Sequence, residues 1–399
     1  MRQGRRDLVV AAVFCAAIGL YDALYVWHLI SGGPLLGPGI SAFFPDFLVF
    51  HAAGRAWIEG QSALIYVSDA LTAFQNALYA DRLPGEVRFR PFFYPPTWLL
   101  MLLPFAAFGM AKAYALFLSG TAALATVLEG RLDWPGWFAI LVSPAAVWVA
   151  LTGQNTFLSL ALFYGGLRLL DRAPAAAGIL LGLLAYKPQL WLLVPLALVA
   201  ARQWRAFAWM LGTASAMALA SLAVFGPNLW RAFFDAAREA GSERIVEEML
   251  TRVSTQIVSP FAAGYILGLP RTVASALQMA SAVLAAAAVW VAFRRYPSSP
   301  ARTALLATAT FLVSPYTLNY DLLLLMPTVV ALFRQGAGEG FYPGERLLHL
   351  VLWLMPLGSM ILARFGLPLV PPMILMLGTV AWMRLIAPKG ELRPVAAAR

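Results

Sequence analysis

Cysteine is almost missing: Cys15 is the single one in 399 residues, which excludes an intrachain disulfide and any cysteine-based metal site. Charge is scarce too, at 12% of residues against about a quarter in soluble domains, so an ordinary soluble fold is excluded. Only three histidines occur, His28, His51 and His349, and a catalytic triad on His51 lacks a convincing serine partner. No GxxxxGK[ST], no GxGxxG after a strand and no HExxH is present, which removes the phosphate-loop, dinucleotide and zinc-protease readings. No soluble-sized stretch separates the apolar runs, so no second domain is attached.

What is abundant is apolar: 61% hydrophobic and 13% aromatic residues, spread along the whole chain. These features predict an all-α polytopic membrane protein whose residues 1–399 form one integral domain. The net charge of +10 does not imply nucleic acid, because the bases lie in ones and twos between apolar runs, as membrane orientation requires. MRQGRRD followed by apolar residues 8–30 reads as a retained anchor, since the run is long and lacks a clear small-residue cleavage site.

Apolar runs lie near 8–28, 95–109, 111–129, 136–151, 155–170, 174–187, 189–201, 206–225, 271–293, 302–316, 318–333, 346–363 and 368–386. Several fall short of the roughly 20 residues that cross a bilayer, which suggests a thinned or water-invaded membrane. Arg2, Arg5 and Arg6 place the N-terminus in the cytoplasm, so 31–110 forms a long first outer loop. If 95–109 were a crossing, the pairs Arg168/Arg172, Arg202/Arg205 and Arg294/Arg295 would lie outside, against the positive-inside rule. Treating YPPTWLLMLLPFAAFG as a re-entrant or surface helix returns them inside and leaves twelve spans with both termini cytoplasmic. Pro91, Pro95, Pro96 and Pro104 suit a broken helix.

With that topology the polar clusters fall on one side: PDF at 45–47, RFRPFFYPP at 88–96, TGQN at 152–155, YKPQ at 186–189, RVSTQ at 252–256 and SPYTLNYD at 314–321. Polar groups at the ends of short apolar runs are costly unless they line a wet cavity, so their convergence points to one site. Each also has a plainer reading. Asp46 could cap a helix starting at Phe47, GQN could be a simple turn, and Lys187 could snorkel to the headgroups. His28 and His349 read as packing residues, whereas His51 lies five residues after Asp46. In the second outer loop, 226–270, Trp230, Phe233, Phe234 and Ala237 fall at helical spacing opposite Arg231, Asp235 and Arg238. This predicts an amphipathic interfacial helix with its aromatics in lipid, leaving Arg252 and Gln256 better placed for a ligand.

The ordered motifs PDFLVFHAAGRAWIEGQSALIY, FYPPTWLLMLLP, GQNTFLSLAL, GLLAYKPQLWLLVPL and SPYTLNYDLLLLMP resemble glycosyltransferase family 87, within the GT-C class of integral-membrane glycosyltransferases. The resemblance implies about 12 transmembrane helices with re-entrant or juxtamembrane helices in the outer loops. It also implies a lipid-linked sugar donor and an aspartate of the first outer loop acting as base, a role that carries over to Asp46. The family includes a polyprenyl-phosphate-mannose-dependent α-1,2-mannosyltransferase, so the expected transfer is of a hexose, mannose foremost, to a lipid or glycan acceptor. The expected place is the outer face of a bacterial inner membrane. Relatives often carry histidine where this chain has Tyr316, Asn319, Tyr320 and Asp321.

A polyprenyl phosphate sugar is already activated, so the protein must position an acceptor hydroxyl, take its proton and stabilise the departing phosphate. One carboxylate suffices for direct inverting attack, whereas a retaining double displacement would want a second, for which Asp321 is the candidate. Lys187, Arg252 and Arg90 are the candidates for the phosphate. Gln154, Asn155, Gln189 and Gln256 could bond sugar hydroxyls, and Tyr94 and Tyr316 could pack on a pyranose face. Asn319, Asp321 and His51 complete the expected sugar and acceptor contacts. No cofactor and no catalytic metal are expected, because the first outer loop holds no DxD motif. Membrane lipids, the donor and a glycolipid or glycan acceptor are the expected partners, and nucleic acid is not. The rival reading is a transporter or flippase for lipid-linked sugars, which shares short spans and broken helices but usually shows internal repeats, and none is visible here. A structural membrane partner of an envelope complex is a third.

Overall fold

The computed structural model describes residues 45–80, 91–241, 246–247, 250–251 and 253–387. Among the described residues no β-strand forms, and extended pairing is confined to one isolated bridge, Ile257 to Leu318. The fold is all-helical, as the apolar composition predicts. The expected first span at 8–28 lies outside the described residues, as do Arg90 and Arg252.

The local chemistry of helix ends explains much of the segmentation. Pro96, Pro144, Pro174, Pro188, Pro260 and Pro300 stand in the first turn of their helices, where a missing N–H is harmless. Ser143, Ser259 and Ser299 precede three of these helices and accept from Ala146, Ala262 and Arg302 N–H groups. Helices Met110–Glu129 and Pro144–Thr152 both stop at a left-handed glycine, Gly130 (φ 50°) and Gly153 (φ 72°).

By length and composition, three helices could each cross a membrane: Met110–Glu129, Trp204–Ala240 and Arg271–Arg295. Two bent pairs raise this to five: Trp134–Leu141 with Pro144–Thr152, bent by 55°, and Glu345–Pro356 with Gly358–Arg364, bent by 85°. The other expected runs form shorter apolar helices, Thr156–Leu169, Pro174–Tyr186, Pro188–Ala200, Pro300–Val313 and Val370–Ile386, and the twelve expected spans depend on them. The predicted run 318–333 is divided: Asn319–Leu325 is a tight 3₁₀ segment, and only Met326–Glu339 is α-helical.

The proline-rich segment before residue 109 forms an 11-residue helix, Pro96–Ala106. At about 1.5 Å per residue it is roughly half as long as a bilayer core is thick. It packs between the Pro45–Ile58 and Trp204–Ala240 helices. The run 206–225 and the amphipathic segment after it form two helices within Trp204–Ala240, joined at a kink where Gly226 is non-helical (φ 76°, ψ 169°). Phe234 is 54% exposed on the second of them, but Phe233 packs on Tyr66 at 5.7 Å, so the aromatics are not all left to lipid. Gly178 and Gly182 let the Pro174–Leu183 helix lie directly on the first, since a β-carbon at either would meet the backbone of Ala206 or Met210.

Basic side chains, Arg168 of the pairs expected inside among them, gather with Asp133 and Asp171 at one end of the bundle. Arg168 donates to the Val127 and Leu128 carbonyls, Gln203 to Asp171, and Arg334 to Asp133. Arg302 lies within electrostatic reach of Asp171 and Arg131. Arg384 holds Glu345 through two hydrogen bonds of 2.7 and 2.8 Å, fully buried. The interrupted helix ends carrying Gln154, Lys187 and Asp321 lie at the other end of the same helices.

Candidate functional site

Gly153 is the pivot of the site. Its positive φ turns the chain sharply after Thr152, and a β-carbon there would collide with that of Phe47. The turn therefore lies against the first turn of the Pro45–Ile58 helix and brings Gln154 to Asp46, whose Oδ2 accepts from Gln154 Nε2 at 2.7 Å. The orientation of that amide follows from its other end. Gln154 Oε1 accepts from the Tyr94 hydroxyl (3.2 Å) and from the Asn155 backbone N–H (3.3 Å), so Nε2 faces the carboxylate. Asp46 is half-buried and lies inside the helix's first turn, where a negative charge is favoured by the helix dipole. Burial, with the Asp321 and Asp46 carboxylates adding, pushes the Tyr94 hydroxyl well above its usual range, so it remains a donor.

A second polar group adjoins the first through Asn155. Lys187 Nζ donates to Asp321 Oδ1 at 2.6 Å and to Asn155 Oδ1 at 3.0 Å, and both charged side chains are 1% exposed. Asp321 Oδ1 also accepts from Thr156 (3.3 Å), and its Oδ2 accepts from the Leu318 backbone N–H (3.3 Å). Lys187 stands between the Leu184–Tyr186 and Pro188–Trp191 turns, and Asp321 in the first turn of the 3₁₀ segment. The ion pair thus joins two interrupted helices, and truncating one partner would leave a buried lone charge at a cost of about 3–5 kcal/mol.

Aromatic rings wall this network. Trp98 stacks on Tyr186 with centroids 4.5 Å apart, and Tyr186 hydrogen-bonds Ser159 and the Asn155 carbonyl. Tyr94 meets Phe50 edge-on at 5.2 Å and Trp98 at 5.7 Å. Its own carbonyl accepts from Tyr66, which ties the aromatic wall to the helix after Gly226 through Phe233.

Of the expected site residues, Asp46, Tyr94, Gln154, Asn155, Lys187 and Asp321 form one continuous hydrogen-bonded layer. Gln256 and Tyr316 lie on two segments that pair through their backbones, with Val258 N–H donating to the Thr317 carbonyl at 2.8 Å and the pairing reaching Leu318, whose N–H donates to Asp321. Tyr316 is 38% exposed at the rim, whereas Asn319 is buried next to Tyr320. Gln189 is half-buried in the short turn after Lys187. His51 is not in the layer: its Nε2–H donates to the Phe108 carbonyl (2.8 Å) and its Nδ1 accepts from Tyr79 (2.6 Å). Thr156 and Trp98 join the site without having been expected, and Tyr186, first residue of the YKPQ cluster, enters as a stacking partner. Thr156 directly follows the GQN turn and was legible there as one more polar residue, but aromatic stacking leaves no sequence signal. Among the described residues no three His, Cys, Asp or Glu side chains come together as metal ligands would.

The model of glycosyltransferase family 87 matches residues 92–315, more than half of the chain. The match includes Tyr94, Gln154, Asn155, Lys187, Gln189 and Gln256, while Asp46 precedes it and Asn319 and Asp321 follow it. No curated protein and no solved structure matches the chain.

Proposed function

The chain belongs to glycosyltransferase family 87, and from that premise we propose that it transfers a hexose from a polyprenyl-phosphate donor to a lipid or glycan acceptor, with Asp46 as general base. Family membership makes the protein a glycosyltransferase, and its apolar helices make it a membrane protein. The donor class, the acceptor class, a GT-C arrangement of about twelve crossings and a site on the outer face of a bacterial inner membrane are our reading. Mannose is the first sugar to test.

The observation that carries the reading is the Gln154–Asp46 hydrogen bond. It connects residues 108 apart in the chain and orients a half-buried carboxylate at the end of the bundle opposite the arginine-rich end. A carboxylate held this way can accept the proton of an acceptor hydroxyl as its oxygen attacks the anomeric carbon. The bond from that carbon to the donor phosphate oxygen breaks in the same displacement, and the phosphate leaves with the electron pair. Asp321, the second carboxylate a retaining route would need, has both oxygens engaged by Lys187, Thr156 and Leu318. That supports a single displacement with inversion.

Purified protein offered a panel of polyprenyl-phosphate sugars should yield extended glycolipids by mass spectrometry. Asp46→Asn should retain folding and donor binding but lower turnover by at least ~10²-fold, the lower end of what removing acid–base catalysis costs. If Asp46 serves only as a charge in the first turn of its helix, Asp46→Asn stays active and costs, like Asp46→Ala, about 0.3–1 kcal/mol of stability. An active, folded Asp46→Asn protein removes Asp46 from the mechanism.

A further inference from the structure

Lys187 Nζ is occupied by partners within the protein. Asp321 lies at 2.6 Å, Asn155 Oδ1 at 3.0 Å, and the Tyr320 ring covers another side with its centroid 5.4 Å from Nζ. Its charge is already cancelled by a carboxylate. What the ammonium does accomplish is to decide which way the Asn155 amide faces. Oδ1 is drawn to Nζ, so Nδ2 is turned the other way, where it is buried near the Tyr94 hydroxyl without a hydrogen bond of good geometry.

That donor has company. Asn319 Nδ2 and Trp98 Nε1, on residues that adjoin the same network, are also buried N–H groups without an acceptor. Buried N–H groups are costly to leave unpaired, and Asn155 Nδ2, on the residue that joins the two polar groups, suits an acceptor oxygen brought by a ligand. A phosphate-linked sugar is such a ligand, and neutral donors hold it without demanding a free cation.

We propose that Lys187 and Asp321 form a positioning pair that aims Asn155 Nδ2 at an oxygen of the donor's phosphate–sugar linkage. Asp321 then acts through Lys187 rather than on sugar or acceptor. The proposal rests on the glycosyltransferase reading above.

The test is a double-mutant cycle on protein in lipid nanodiscs, reading both binding of a polyprenyl phosphate and the separate kcat and KM of transfer. Three proteins are compared with wild type: Asn155→Ala, the pair variant Lys187→Met with Asp321→Leu, and all three changes together. The pair variant leaves no lone buried charge, and Lys187→Gln with Asp321→Asn serves as a polar alternative should it fail to fold. The expected result is that Asn155→Ala and the pair variant each weaken binding by a similar factor, about tenfold, mostly in KM, and that the triple variant is no worse than Asn155→Ala. Lys187→Arg, which keeps a donor for Asn155 Oδ1, should retain more binding than Lys187→Met. Additive losses in the triple variant overturn the proposal, as does tighter polyprenyl-phosphate binding by Asp321→Asn, which would mark Lys187 as a direct phosphate contact. Wild-type protein that neither binds polyprenyl phosphate nor transfers sugar sinks the glycosyltransferase reading and this proposal with it, whereas wild-type activity with additive losses sinks the proposal alone.

Discussion

His51 shows how one residue's role is decided by its two ring nitrogens. Because Nε2 faces a carbonyl, the ring is the neutral tautomer with its proton there, and Nδ1 receives the Tyr79 hydroxyl. Burial, with Arg55 adding and the Phe108 carbonyl opposing, holds its pKa below the usual 6.5. The unfolded chain therefore takes up a proton below about pH 6.5 that the folded chain resists, so the stabilisation is present above that pH and declines as pH falls through it. Thermal unfolding should show wild type losing more stability between pH 8 and pH 5.5 than His51→Gln does. Equal losses in the two proteins would show that His51 does not titrate on unfolding. The residue is a brace between the Pro45–Ile58 helix and its neighbours, although proximity in sequence to Asp46 suggested a role in the site.

At the scale of elements, the site depends on one of two glycines that share a backbone conformation. Gly153 and Gly60 have nearly the same φ, 72° and 74°, but a β-carbon at Gly60 meets nothing within 4 Å whereas one at Gly153 runs into Phe47. Alanine at either position pays roughly 1–2 kcal/mol for the left-handed backbone. Only at Gly153 must the turn also back away from the Pro45–Ile58 helix, which separates Gln154 from Asp46. Gly60→Ala should therefore lower the unfolding midpoint slightly and keep transfer activity, while Gly153→Ala should lower activity by more than about tenfold. Matching activities in the two variants would show that the close approach is not what positions Asp46. The GQN turn was legible as a turn; its contact with a helix more than 100 residues earlier was not.

For the whole molecule, sidedness is the quantity to test. In a Cys15→Ala background, cysteines at Ser62 and Gly241 should react with an impermeant thiol reagent added outside, whereas one at Gln203 should not. Outside labelling at Gln203 would invert the assignment and move the arginine-rich end to the exterior. The charge pattern made this prediction possible, because bases between apolar runs feel the bilayer directly and their alternation needs no tertiary structure. Helix lengths were less legible. Apolar runs mark where lipid or core packing is tolerated, but proline and glycine interruptions decide where hydrogen-bonded helix stops. The run 318–333 became Asn319–Leu325 and Met326–Glu339, whereas the expected break between 206–225 and the amphipathic segment falls at Gly226, directly before Pro227.

By itself the sequence determined the all-helical class, the membrane setting, the family and the polar residues that gather at the interrupted helix ends, since each of these follows from composition, period or local motif. Only the tertiary structure decided the partnerships among those residues: Gln154 with Asp46, Lys187 with Asp321 and Asn155, and His51 with Tyr79 and Phe108. The physical reason is range. A polar side chain shows in the sequence that it needs a hydrogen-bond partner, but which partner satisfies it depends on helices packing across separations of 28 to 134 residues, at distances of 2.6 to 3.0 Å.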